Sequence, residues 1–362
     1  MYKFAVNFLL IFQILKMKKF KWIVIVTILL ILSIIGGIFS LSAYQSVYGV
    51  NVVVTSYEPV FVHIPTNSTF DDVCDLLEDA GLQDVESFRW VSQMMNYSEK
   101  VKSGRYRVLD GTNNLELIRM LRSGRQVPVK VIFNNIRLNA QFAGAATRTI
   151  EADSASLLAL LNDGAYLAEN FNLAPQTILS LCLPNTYELF WNTSAKGLLD
   201  RMAKEYERFW TDSRREKAAK AGLTPLQVSV LASIIEEETH IDSEKATMAG
   251  VYINRLNIGM KLQADPTLKY AAGDFAIKRV LDVHKEIESP YNTYMYAGLP
   301  PGPICCPSIA SIEAVLNYEK HDYLFFCAKA DFSGAHNFTR TLAQHNRNAK
   351  EYRQALNQRA IY

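Results

Sequence analysis

Three consecutive carboxylates, Glu236, Glu237 and Glu238, close an apolar run in the segment LASIIEEETH, residues 231–240. Upstream, Thr224-Pro225-x-Gln227 is a helix start: Thr caps, Pro takes the first helical position, and Gln can reach back to the cap. A helix from Pro225 to near Thr239 puts the acids in its last turn, where the helix dipole is negative and neighbouring carboxylates repel. Both effects, and burial, favour the protonated form. A carboxyl still protonated near neutral pH is what glycosidic cleavage needs to protonate the leaving oxygen. At about 100° per residue, Glu238 falls among Leu231, Ile234 and Ile235, whereas Glu236 points the opposite way. Glu236 is therefore expected to face a cleft and Glu238 to make an internal contact. A merely solvated helix end would hold the same acids, and residue types alone leave that alternative open.

Other chemistries find less support. Glu237-x-x-His240 is half of a di-iron carboxylate motif, but the chain has no second Glu-x-x-His. There is no His-Glu-x-x-His, no Gly-x-Ser-x-Gly elbow and no phosphate loop. The five cysteines, Cys74, Cys182, Cys305, Cys306 and Cys327, share no ligand spacing and suggest neither a zinc site nor a disulfide framework.

The elements that must carry this helix begin with a span. Residues 22–57 contain no Asp, Glu, Lys or Arg, and WIVIVTILLILSIIGGIF (22–39) with the weaker SLSA (40–43) is long enough for a bilayer core. Lys16, Lys18, Lys19 and Lys21 precede it, so the positive-inside rule keeps residues 1–21 in the cytoplasm and exports the rest. The apolar run exceeds a signal-peptide core, which favours an uncleaved anchor. Met17, followed by KKFK, is the expected initiator. The five lysines before the span (Lys3 being the fifth) leave 33 basic residues beyond it against all 36 acids, a balance near −3 that speaks against a nucleic-acid partner.

Residues 44–58 read as a spacer. Two strand–turn–helix units follow within 59–128: Val60, Val62 and Ile64 alternate before a helix opened by Thr69 and closed at Gly81, and Tyr106 and Val108 precede Leu115, Ile118 and Leu121 at helical spacing. Residues 127–133 form another strand. Helical patterning then dominates 129–355, around the aromatic-rich loop or strand LPNTYELFW. The expected fold class is α+β.

From residue 231 onward the motifs resemble a known family. LASIIEEET, VYINRLNIGMKLQADPTLKYA (251–271), YNTYMYAGLPPGPI (291–304) and YLFFCAKADFSGAHNFTRTLAQHN (323–346) match the endolytic murein transglycosylase, or YceG-like, family in order and spacing. The resemblance implies a bacterial single-pass protein of the cytoplasmic membrane. It would have a LysM-like peptidoglycan-binding subdomain over 59–128 and a helix-rich α+β catalytic domain over 129–355. It would cut nascent glycan strands internally between N-acetylmuramic acid and N-acetylglucosamine, leaving 1,6-anhydro ends and ending elongation. No metal or cofactor is implied, and a penicillin-binding glycan polymerase is the implied partner.

By the same resemblance Glu236 is the catalytic acid and then base, supported by Glu238. Gln263 and Asp265, in a turn fixed by Pro266, would orient substrate or Glu236, with Thr267 in the same motif. Asn254 and Arg255 would hydrogen-bond sugar or the helix end. A proline–glycine loop would present Asn292 and Tyr294 to a glycan groove, with His336 and Asn346 at the cleft edge. The chain departs from the family pattern at Cys305-Cys306-Pro307-Ser308, at Asn134-Asn135 and at Pro184-Asn185, which puts the groove contacts in doubt. Two rival functions stay open: a non-catalytic membrane-tethered peptidoglycan-binding scaffold, and a muramidase hydrolase with Asp265 as second carboxylate.

Overall fold

In the computed structural model, which describes residues 2–55, 58–277 and 279–358 and the side chains from residue 16 on except residue 18, the chain opens on one helix, α1 (Tyr2–Tyr48). Its stretch Lys19–Tyr48 is long and apolar enough to cross a membrane, and none of its most apolar window is buried in protein. The chain divides into two compact units, Met1–Val127 and Pro128–Tyr362.

The first unit contains β1 (Val60–Ile64), α2 (Phe70–Asp79), α3 (Val85–Met94), β2 (Gly104–Val108) and α4 (Asn114–Ser123). The two strands pair antiparallel, from Val60 opposite Val108 to Ile64 opposite Gly104. Their inward residues Val62, Ile64 and Tyr106 share a core with Val73, Leu77, Phe88, Leu117 and Leu121. The expected opening at Thr69 is present as a reciprocal capping box with Asp72, and Gly124 ends α4 in the left-handed conformation that glycine adopts without strain. Helix α3, capped by Asp84, is an addition to the two expected strand–helix units.

The stretch expected as a spacer is instead built into this unit. Helix α1 runs on to Tyr48, Asn51 and Val52 are buried, and short bridges join Val50 to Asn113 and Val52 to Leu82. The Asn51 amide donates to Asn114 Oδ1 and to the Asp84 carbonyl, both at 2.8 Å, while Asn114 donates to the Ser46 carbonyl at the end of α1. A buried amide needs partners of this kind, and these fix where the helix ends. Residues 56 and 57 of that stretch lie outside the described residues.

The second unit begins with β3 (Val129–Ile132), α5 (Asn139–Ala146), α6 (Ser154–Asn162), α7 (Gly164–Phe171) and β4 (Thr186–Leu189). The aromatic-rich segment is thus a strand, pairing antiparallel with β3 from Val129 opposite Leu189 to Ile132 opposite Thr186. Then come α8 (Ala195–Phe209), α9 (Asp212–Lys220), α10 (Pro225–Glu238), α11 (Asp242–Asn257), α12 (Asp265–Ala272), α13 (Asp282–Lys285) and α14 (Ile309–Leu316). The antiparallel pair β5 (Phe325–Ala328) and β6 (His336–Thr339) and the helix α15 (Leu342–Gln358) complete the unit.

Helix α10 lies at the centre of a core with α11 and α14. Thr224 and Gln227 close the expected capping box, with Pro225 in the first turn. Residues 228–235 are buried without interruption, although the sequence predicts a single apolar face. A helix buried on every side is a core helix, and its two internal serines confirm the enclosure. Ser233 Oγ donates to the Val230 carbonyl and accepts from the Ile304 amide at 2.9 Å.

Candidate active site

The buried helix delivers its three carboxylates into three different environments. Glu236 Oε2 accepts from Ser308 Oγ at 2.5 Å and from Ser311 Oγ, and lies 3.4 Å from Lys245 Nζ. Ser308 is the N-cap of α14, and its oxygen also accepts from the Ser311 amide. Glu236 therefore ends its own helix but begins another, at the end where a helix dipole favours negative charge. Lys245, whose side chain is only 6% exposed, is shared between Glu236 and Asp242, 2.8 Å away.

Burial is the largest single influence on Glu236 and pushes its pKa up; the hydroxyls of Ser308 and Ser311 and the Lys245 ammonium outweigh it and leave the carboxyl below its ordinary range. The sequence predicts the opposite, because it registers only the C-terminus of α10 and not the groups that fold onto it.

Glu238 is the carboxyl with the raised pKa. Burial pushes it up to about 8, against a hydrogen bond from Tyr252 that lowers it, and with a further push from the charge of Asp265. Tyr252 Oη donates to Glu238 Oε1 at 2.7 Å. Glu237 takes a two-pronged ion pair from Arg137, with Nε and Nη2 at 3.0 and 2.8 Å from its two oxygens. The fork geometry makes this a directional brace between the loop after β3 and the end of α10.

The expected turn at Asp265 is the opening of α12, with Pro266 in its first turn. Asp265 accepts from Tyr294 Oη at 2.6 Å and acts on Glu238 rather than on Glu236. Gln263, exposed and at φ 51, is a non-glycine residue in the left-handed region. Its amide donates to the Thr293 carbonyl. Strain of this kind persists where the surroundings over-determine the backbone, as this bond and the Ala264 amide on Thr293 Oγ1 do. Thr267 is buried against Thr293, with the two hydroxyl oxygens 2.8 Å apart.

Several residues expected to meet sugar spend their side-chain donors on backbone carbonyls of the protein. Asn254 donates to the carbonyls of His321 and Tyr323. Arg255, 6% exposed, donates to those of Leu324 and Leu262 at 2.6 Å. Asn292 is fully buried: its amide holds the carbonyls of Lys285 and Ile287 and its oxygen accepts from the Tyr294 amide. These three brace the loops around the site and are not presented to a groove. His336 pairs with Glu244 through Nδ1 at 2.9 Å, at the start of α11, whereas Asn346 is exposed on α15. The residues the sequence does not single out are Lys245, Ser308, Ser311, Tyr252 and Arg137. The Asp242-x-x-Lys245 pair and the Pro307-Ser308 helix start are legible locally, but their meeting with Glu236 is not.

A carboxyl held by two hydroxyls and an ammonium group thus lies at the end of a helix buried in an α+β unit. The chain belongs to the YceG-like family, whose pattern matches residues 62–351. It is 28% identical over 316 residues to the endolytic murein transglycosylase of Bacillus subtilis (strain 168), covering 83% of this chain and 86% of that one. A protein of the same name from Streptococcus pneumoniae serotype 2 (strain D39) is 25% identical over 325 residues, covering 81% of this chain but 58% of that longer one. A crystal structure of a yceG-like protein from Listeria monocytogenes matches with a TM-score of 0.52 at 28% identity, over 81% of this chain and 99% of that one. The family expected from the motifs is the family found.

Proposed function

We propose that this protein is an endolytic murein transglycosylase, anchored by α1 with everything after the span outside the cytoplasmic membrane. The relatives' names support the substrate class, and the observation that carries the chemistry is the single carboxyl of Glu236 with all its held contacts on one oxygen. Among the described residues Oε1 accepts no hydrogen bond, which leaves it for the substrate. A seated glycan strand strips the remaining water from this partly exposed side chain. That adds to the burial already pushing its pKa up, so the carboxyl gains its proton as the strand docks. Glu236 then protonates the glycosidic oxygen and, as carboxylate, draws the proton from the muramyl C6 hydroxyl, which closes the 1,6-anhydro ring.

Asp265 is a poor second carboxylate for a hydrolase, since it is committed to Tyr294 and acts on Glu238. The first unit, a two-stranded sheet with packed helices, serves as the LysM-like glycan-binding module, and a glycan polymerase of the penicillin-binding class is the partner beside which such cleavage would end elongation.

The test is mass spectrometry of uncrosslinked glycan strands digested by the detergent-solubilised chain and by its Glu236→Gln variant. Products lighter by one water than hydrolysis products, and absent with the variant, are expected. Reducing-end products would replace this proposal with a hydrolase, and strand retention without cleavage would replace it with a scaffold.

A further inference from the structure

Beside the carboxylate cluster, on the face of α10 that carries Glu237, lies a cavity of about 50 Å³ lined by Arg137, Glu237, Pro266, Lys269, Tyr270, Phe275 and Ile304. One ordered water needs roughly 10–15 Å³ on this measure, so the space holds a small polar group and not a sugar ring. Two of its lining residues are cations with donors to spare. Lys269, half-buried in the last turn of α12, makes no hydrogen bond or ion pair among the described residues. Arg137 spends Nε and Nη2 on Glu237, and its Nη1 takes no partner among the described residues. The guanidinium sits 5.1 Å from the Phe275 ring centre, which packs edge-on against Tyr270, so the donor is held by its neighbours.

The charge in the cavity is unbalanced. Glu237 answers Arg137, while Lys269 makes no direct ion pair among the described residues, its charge being felt by the buried Glu238 carboxyl, whose pKa it lowers. A half-buried ammonium with no direct hydrogen bond keeps its donors for an anion that arrives to meet it. Its apolar walls, Pro266, Phe275 and Ile304, raise the strength of any ion pair formed there.

We infer that this cavity is a carboxylate subsite, in which Lys269 and Arg137 Nη1 receive an acidic group of the short peptides carried by the glycan strand. The inference rests on the murein proposal above. Those peptides hang from the muramyl sugar, the same ring whose anomeric carbon Glu236 would act on. A subsite walled by Glu237, the next residue along the helix, stands beside the carboxyl at which that ring would react. Lys269 then selects strands whose peptides keep free acids and places the muramyl ring against Glu236.

The test uses the detergent-solubilised full chain on three strands: with native peptides, with the peptide carboxylates converted to amides, and stripped of peptides. The native protein is expected to prefer native over amidated strands by about tenfold in kcat/KM, the worth of one charged hydrogen bond. Lys269→Met should bring that ratio close to one, and Lys269→Arg should retain it. Because the readout is a ratio within each protein, a general loss of activity leaves it interpretable. A native ratio of one, or a ratio that survives Lys269→Met, overturns the subsite. So does a preference for peptide-bearing strands that ignores amidation. If the native chain cleaves none of the three strands, the murein proposal itself fails and takes the subsite with it.

Discussion

With its side chain almost wholly enclosed, the Lys245 ammonium depends on Asp242 and Glu236, and Glu236 depends on it in return. Lys245→Met removes the cation that helps hold Glu236 below its ordinary pKa, so the carboxyl becomes easier to protonate. The alkaline limb of the kcat/KM profile should then move to higher pH, as measured in a pH–rate series. Glu238 gives the converse prediction, in stability. Its folded pKa, about 8, stands above the ordinary 4.5, so between those values the folded state holds a proton that the unfolded chain releases. Its contribution is fully present below about pH 4.5 and is lost as pH rises through 8. Glu238→Gln should therefore flatten the fall in thermal midpoint between pH 5 and pH 8, roughly that window, in a calorimetric series. Glu236 is legible as a candidate because its helix and neighbours are local. Its proton state is not, since two of its donors come from 72 and 75 residues away.

Capping chemistry at helix starts carries over well from sequence to element. Thr224, Thr69 and Asn113 each accept from a backbone amide of the first turn of their helix, as their types and positions predict. Thr224→Ala should cost about 1 kcal/mol of stability, read as a lower denaturation midpoint. Ser308→Ala should do more than that, because it removes both the cap of α14 and a donor to Glu236. Its thermal midpoint should fall, and its alkaline limb should rise with that of Lys245→Met. Less legible were elements defined by partners distant in sequence. LPNTYELFW becomes a strand only because β3 lies alongside it, and the buried side of α10 exceeds one face because α11 and α14 close over it. Asp265-Pro266 reads equally as turn or helix start. The Thr267 and Thr293 hydroxyls decide for the helix by satisfying its first turn.

One apolar helix opens the first of two units of unequal size, an order the composition alone foretells: a charge-free run, then mixed strands and helices, then helical periodicity. The full chain should sediment with membranes and resist an alkaline wash, while a chain lacking residues 1–43 should stay in the supernatant; fractionation with immunodetection checks both. The sequence misjudges the stretch after the span, because Asn51 and Asn114 look like ordinary polar loop residues until their amides are seen to close on each other and on Ser46. That closure has a geographical consequence. From Ala43 the same helix continues to Tyr48 and is bolted to the first unit, a rise of only about 8 Å at 1.5 Å per residue. In a bilayer this is a fixed-length stilt in place of a tether. It would hold the first unit at one altitude just above the lipid headgroups, with no slack to range further from the membrane.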